Sequence, residues 1–123
     1  MPDASTTVAE LKDAVRRFAA ARLWEPYHSP KNLVMALACE SAELTEHFLW
    51  QSAEESRRAV EDPLRREAIA DELADVAGVL LNLSLNLGID LSDAIAAKMA
   101  KNELKYPAEV CAARERARQG SSG

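Results

Sequence analysis

Apolar residues recur along the chain at helical spacing, in four runs separated by short polar or proline-bearing stretches. Val8, Leu11, Val15 and Phe18 form the first run, and Thr7 with Glu10 makes a capping box at its start. The run stops at WEPYHSP, residues 24–30, whose prolines predict a structured loop. Ser29 followed by Pro30 reads as the N-cap and first turn of a second helix, which the pattern carries to about Trp50. Residues 51–62, QSAEESRRAVED, predict an exposed polar connector with room for partial helix. Asp62 and Pro63 repeat the cap-plus-proline signature and open a third helix that runs to Leu87 and stops at Gly88. Asp90 caps a fourth helix over 91–105, ended by Tyr106-Pro107. Beyond it no packing stripe continues, so one domain is expected over 1–107 and a flexible tail over 108–123. Amphipathic helices joined by short links predict an all-α four-helix bundle. The apolar stripes are long for a chain of this size, so an oligomer is expected.

The second helix poses a problem, because its apolar stripe carries carboxylates. Turning 100° per residue from Glu40, the residues Leu33, Leu37, Leu44 and Phe48 fall between about 20° and 80°. Glu43 lies near −60° and Trp50 near −80° on the same wheel, while Glu46 at about −120° faces away. The third helix repeats the arrangement, with Ile69, Val76, Leu80, Leu83 and Leu87 on the stripe and Glu72 and Asp75 at its edge. Each helix thus carries an i,i+3 carboxylate pair at the same edge of its apolar face. Either pair alone reads as a solvated helix edge. Two pairs at matching azimuth converge if the stripes pack against each other, and converging carboxylates call for a cation. Hard oxygen donors with no thiolate or imidazole cluster suit Mg²⁺ or Mn²⁺. A di-iron bundle would need Glu-x-x-His, whereas His47 follows Glu43 at i+4 and the third helix has no His.

Composition narrows the partners. Few Gly (4) and Pro (5) among 123 residues agree with helix, and a net charge of −5 argues against a nucleic-acid partner. Small anionic substrates stay open where a divalent cation mediates. No apolar run is long enough to span a membrane, and MPDASTTVAE lacks the features of a leader, so a cytoplasmic protein without a membrane partner is expected. Cys39 and Cys111 form neither a CxxC pair nor a disulfide framework.

CESAELTEHFLW (39–50) and EAIADELADVAGVLL (67–81) together resemble the MazG-like all-α nucleoside triphosphate pyrophosphohydrolases, whose signature is Glu-x-x-Glu, a spacer, then Glu-x-x-Asp. RLWEPYHSPKNLVMAL (22–37) and IDLSDAIAAKMAKNELKYP (89–107) are similar to the dCTP pyrophosphatase-like branch. The resemblance spans about residues 8–107. It implies a MazG-like bundle, a homodimer or homotetramer, and Mg²⁺-dependent hydrolysis of a (deoxy)nucleoside triphosphate to the monophosphate and pyrophosphate, as a nucleotide-pool housecleaning activity. Glu40, Glu43, Glu72 and Asp75 would hold the metal, with Glu40 or Glu43 as the base that activates water. Trp24, His28 and Trp50 would form the base pocket, and Lys31 and Asn32, at a helix N-terminus, would meet phosphate. Lys98 and Asn102, on one face at i,i+4, would contact phosphate or sugar, and Tyr106 would pack or bind the triphosphate. The resemblance implies dCTP or a modified dCTP as substrate, but Val79 stands where dCTP-preferring members can carry an aromatic, a departure that favours dUTP or broad specificity as the alternative. A reading from another class is a non-catalytic oligomeric adaptor.

Overall fold

In the computed structural model, which describes residues 1–121, the chain is helical and contains no strand among the described residues. The helices are α1 (Val8–Ala21), α2 (Pro30–Glu46), α3 (Ala53–Arg57), α4 (Pro63–Leu87), α5 (Leu91–Lys105) and α6 (Ala108–Gly120). They fall into two compact units, Met1–Ile89 and the residues from Asp90 onward. No helix among the described residues is long and apolar enough to cross a membrane.

The long helices begin where the capping residues place them. Thr7 Oγ1 accepts from the Glu10 N–H at 3.1 Å, and Glu10 returns a carboxylate oxygen to the Thr7 N–H at 2.7 Å. Ser29 Oγ accepts from the Asn32 N–H, Asp62 Oδ1 from Leu64 and Asp90 Oδ1 from Asp93. The polar connector is partly helical. Ser52 and Glu55 make a second capping box that starts α3, and a 3₁₀ turn over Ala59–Glu61 buries Ala59.

Helix ends are less legible. The second helix ends at Glu46 rather than near Trp50, because His47 and Phe48 donate to Leu44 and Thr45 in tightened i→i+3 bonds. Helices α1 and α4 both end in a Schellman motif, with Trp24 N–H donating to Ala19 O and Ile89 N–H to Ser84 O. The left-handed position is Gly88 (φ 65°) after α4 but Leu23 (φ 57°) after α1.

Within the first unit α4 packs chiefly on α2 and also on α1. The direction follows from three ties. His28, just before α2, bonds Asn82 late in α4; the Glu40/Glu43 pair meets Glu72 midway; and the carbonyl of His47, just after α2, accepts from Arg65 at the start of α4. The two helices are therefore antiparallel. Leu33 and Ile69 are buried on the predicted stripes, Leu37, Leu44, Val76 and Leu83 are half-buried, and Leu80 and Leu87 are exposed. Lys12 Nζ donates to the Ile89 carbonyl at 2.9 Å, fastening α1 to the end of α4.

In the second unit α5 leads to α6 through Tyr106-Pro107, where the Tyr106 N–H donates to Asn102 O at 2.7 Å. The residues expected as a flexible tail form α6, whose side chains are nearly all exposed; the missing packing stripe reflects that exposure rather than a missing helix. The last two residues of that expected tail lie outside the described residues.

Candidate active site

Antiparallel packing of α2 on α4 brings the carboxylate edges together. One carboxylate oxygen each from Glu40, Glu43 and Glu72 lies within 4.8 Å of the others. Glu40 and Glu72 are half-buried, and the Oε2 atom of each is shielded from solvent with no hydrogen-bond partner. Burial is the main cause that pushes both carboxyls above the usual carboxylate range, and repulsion from Glu43 comes next. Asp75 adds to the repulsion at both, which places it in the same electrostatic cluster. His47 offsets only part of it at Glu72. Among the described residues no Lys or Arg pairs with any of the four.

Shielded carboxylate oxygens without a donor are costly, and converging hard oxygen donors without a cationic side chain fit a divalent cation. The residues present therefore fit a metal site, with Glu40, Glu43 and Glu72 as the convergent donors and Asp75 beside them.

Asp75 also borders a cavity of about 400 Å³ in the first unit. Trp24, His28, Asn32 and Val79 line it, together with Phe18 and Gly78. The Schellman turn at Leu23 places Trp24 here, and the Trp24 ring meets Phe18 edge-on at 5.7 Å and His28 at 6.4 Å between centroids. The Arg22 guanidinium lies 3.6 Å over the Phe18 ring and ties down its outer face. Four of the predicted substrate and metal residues thus share one cavity: Trp24, His28, Asn32 and Asp75.

Of these four, Asn32 donates its side-chain amide to the Tyr27 carbonyl at 2.9 Å, and its backbone N–H is taken by Ser29, so much of its bonding holds the loop. The other predicted substrate residues stand elsewhere. Lys31 is exposed at the start of α2 and does not line the cavity. Trp50 is 91% exposed, in the turns after α2, and lies outside the cavity. Lys98, Asn102 and Tyr106 belong to the second unit, where Lys105 sits 5.4 Å over the Tyr106 ring and Asn102 is half-buried.

Asn82 is the residue that sequence reasoning missed. It is buried, lines the cavity, and bonds His28 Nδ1 at 2.8 Å. A signal existed: counted from Glu72 it falls near −80°, beside Asp75 on the carboxylate edge. Asn86 follows one turn later and donates to the Asn82 carbonyl at 2.9 Å and to its Oδ1 at 3.2 Å.

An all-α chain whose principal helix pair joins Glu-x-x-Glu to Glu-x-x-Asp beside an aromatic cavity has the donors to hold a divalent cation next to room for a small molecule. Residues 35–118 match the MazG-like family, and the chain belongs to it. It is 36% identical over 104 residues to dCTP pyrophosphatase 1 of Bos taurus and of Homo sapiens, an overlap that takes in 85% of this chain. The chain spans 62% of the length of the bovine protein and 61% of the human one. Among solved structures, a pyrophosphatase from Archaeoglobus fulgidus is similar, with a TM-score of 0.75 and 41% identity over 80% of this chain and 91% of that one.

Proposed function

We propose that this protein hydrolyses a nucleoside triphosphate, with dCTP or a modified dCTP as its substrate, to the monophosphate and pyrophosphate. The observation that carries the proposal is the carboxylate cluster itself, in which Glu40 and Glu72 each shield an oxygen that no donor reaches. The likeness to dCTP pyrophosphatases supports the substrate class. Mg²⁺, with Mn²⁺ as a substitute, suits the all-oxygen donor set. When bound, it would offset charge on the phosphate oxygens and acidify a water. Glu40, Glu43, Glu72 and Asp75 would hold it, and whichever of Glu40 and Glu43 faces the water accepts its proton. Trp24, at the cavity wall, offers an aromatic face to the base. Lys31 would supply a donor for phosphate in this reading, and the family resemblance adds Lys98 and Asn102 as candidate phosphate or sugar contacts and Tyr106 as a residue that would pack or bind the triphosphate.

Val34, Met35 and Leu73 are more than half exposed on α2 and α4, which supports assembly into a homodimer or homotetramer. Trp50, exposed on one chain, would meet the base within such an assembly. In this reading the protein clears excess or modified nucleotides in the cytoplasm. Val79 and Gly78 keep one cavity wall low, which supports the alternative of wider base tolerance or of dUTP. A pyrophosphate-release screen over natural and 5-modified deoxynucleotides with Mg²⁺ separates these readings. The highest turnover should fall on dCTP or a 5-modified dCTP; a preference for dUTP, or an even profile, would favour the alternative. Silence with every nucleotide would leave a non-catalytic adaptor.

A further inference from the structure

We propose that Asn82 is a positioning residue that fixes the tautomer of His28, so that the ring offers the cavity a hydrogen-bond donor at Nε2. The inference rests on the reading of the cavity as the nucleotide-base site.

The donors and acceptors assign themselves. Asn86 Nδ2 can only donate, and it lies 3.2 Å from Asn82 Oδ1, so the oxygen of the Asn82 amide is held towards Asn86. The amide nitrogen of Asn82 is thereby turned to His28 Nδ1 at 2.8 Å. An amide nitrogen has no lone pair to give, so Nδ1 must be the acceptor, and the proton of the neutral ring sits on Nε2. Asn82 is 9% exposed, so its bond to His28 is largely shielded from solvent. A second cavity, of about 270 Å³, lies between Arg16, Glu25 and the same His28–Asn82 pair. The pair is therefore a partition between two cavities, held from α4 and carrying a ring whose bonding is set from one side only.

A donor at Nε2 selects a ligand edge with an acceptor, as the O2/N3 edge of cytosine presents, and is itself left unpaired when that edge is absent. Reversing the tautomer reverses that selection.

Asn82→Asp is the near-isosteric test, because a carboxylate accepts where the amide donates and draws the proton to Nδ1. Long-range ¹H–¹⁵N correlation should show His28 as the Nε2–H tautomer in the native protein and protonated at Nδ1 in N82D. Calorimetric affinity for α,β-imido-dCTP, which needs no turnover, should fall by about tenfold in N82D. The inference is overturned by a native Nδ1–H tautomer, or by unchanged affinity in a folded N82D whose tautomer has switched. If N82D does not fold, His28→Gln and His28→Asn decide: the Gln amide reaches the Nε2 position and should keep most of the affinity, the Asn amide should not, and equal loss contradicts the proposal. Absent pyrophosphate release from the native protein with every nucleotide would count against the proposed hydrolysis alone, since tautomer and affinity are read without catalysis.

Discussion

Glu40 on α2 and Glu72 on α4 face each other across an antiparallel helix pair, each with one oxygen closed off from water and from every donor. A fold keeps such a pair only when something offsets it. Glu40→Gln or Glu72→Gln removes one like charge from the cluster, so the metal-free variant should melt higher than the native protein. Mg²⁺ affinity should drop by at least about tenfold, and pyrophosphate release by on the order of 100-fold. Melting curves and Mg²⁺ calorimetry on the same samples check both halves.

The same pair predicts a pH dependence. Both carboxyls are pushed above the ordinary value of 4.5, burial being the first cause in each. Between the ordinary and the raised value the folded chain binds more protons than the unfolded one, so stability falls as pH rises through that window. Asp13, Glu55 and Glu115, held low by Arg16, Ser52 and Arg118, act oppositely and lose their contribution as pH falls. The difference in Tm between E40Q and the native protein isolates the cluster. That difference should be near zero at about pH 4, where Glu40 is protonated, open towards pH 7, and close when Mg²⁺ is added.

Leu23 should be replaceable with profit. It holds φ 57° at a Schellman position, is 80% exposed, and occupies the place that Gly88 fills after α4. Leu23→Gly relieves roughly 1 kcal/mol of left-handed strain and should raise Tm by about 4 °C. Gly88→Ala introduces the same strain and should lower it similarly. Paired thermal scans decide, and a lower Tm for L23G would show that Leu23 is held by packing.

Gly78 tests the cavity. A Cβ built there meets nothing within 4 Å, so Gly78→Ala gains helix propensity, about 1 kcal/mol, without a clash. Its activity should be unchanged. Gly78→Leu projects further into the cavity and should raise KM about tenfold with kcat largely kept, as expected when ligand room is lost but the carboxylates are not. An unchanged KM in G78L would remove this cavity from the binding site.

Much of the architecture was legible in the sequence, for a local reason. Thr7, Ser29, Asp62 and Asp90 each accept a backbone N–H of their own helix, so the starts needed no tertiary information. The carboxylate edges were legible because helical spacing alone sets them, and antiparallel packing then joins Glu40 and Glu43 to Glu72. The angle assigned to Trp50 was counted along a helix that stops at Glu46, so the helical wheel does not place this ring. Asn82 went unread because its place beside Asp75 on the carboxylate edge does not by itself give a lone Asn a role, and the partner that does, His28, lies in a loop 54 residues away. Helix α6 was missed because it carries no apolar stripe.

The most direct measurement is ³¹P NMR of dCTP and Mg²⁺ with the native protein in H₂¹⁸O. Hydrolysis at the α-phosphorus predicts dCMP and pyrophosphate as the products, with the ¹⁸O-shifted signal in dCMP. Orthophosphate and dCDP, label in pyrophosphate, or unreacted dCTP would contradict it.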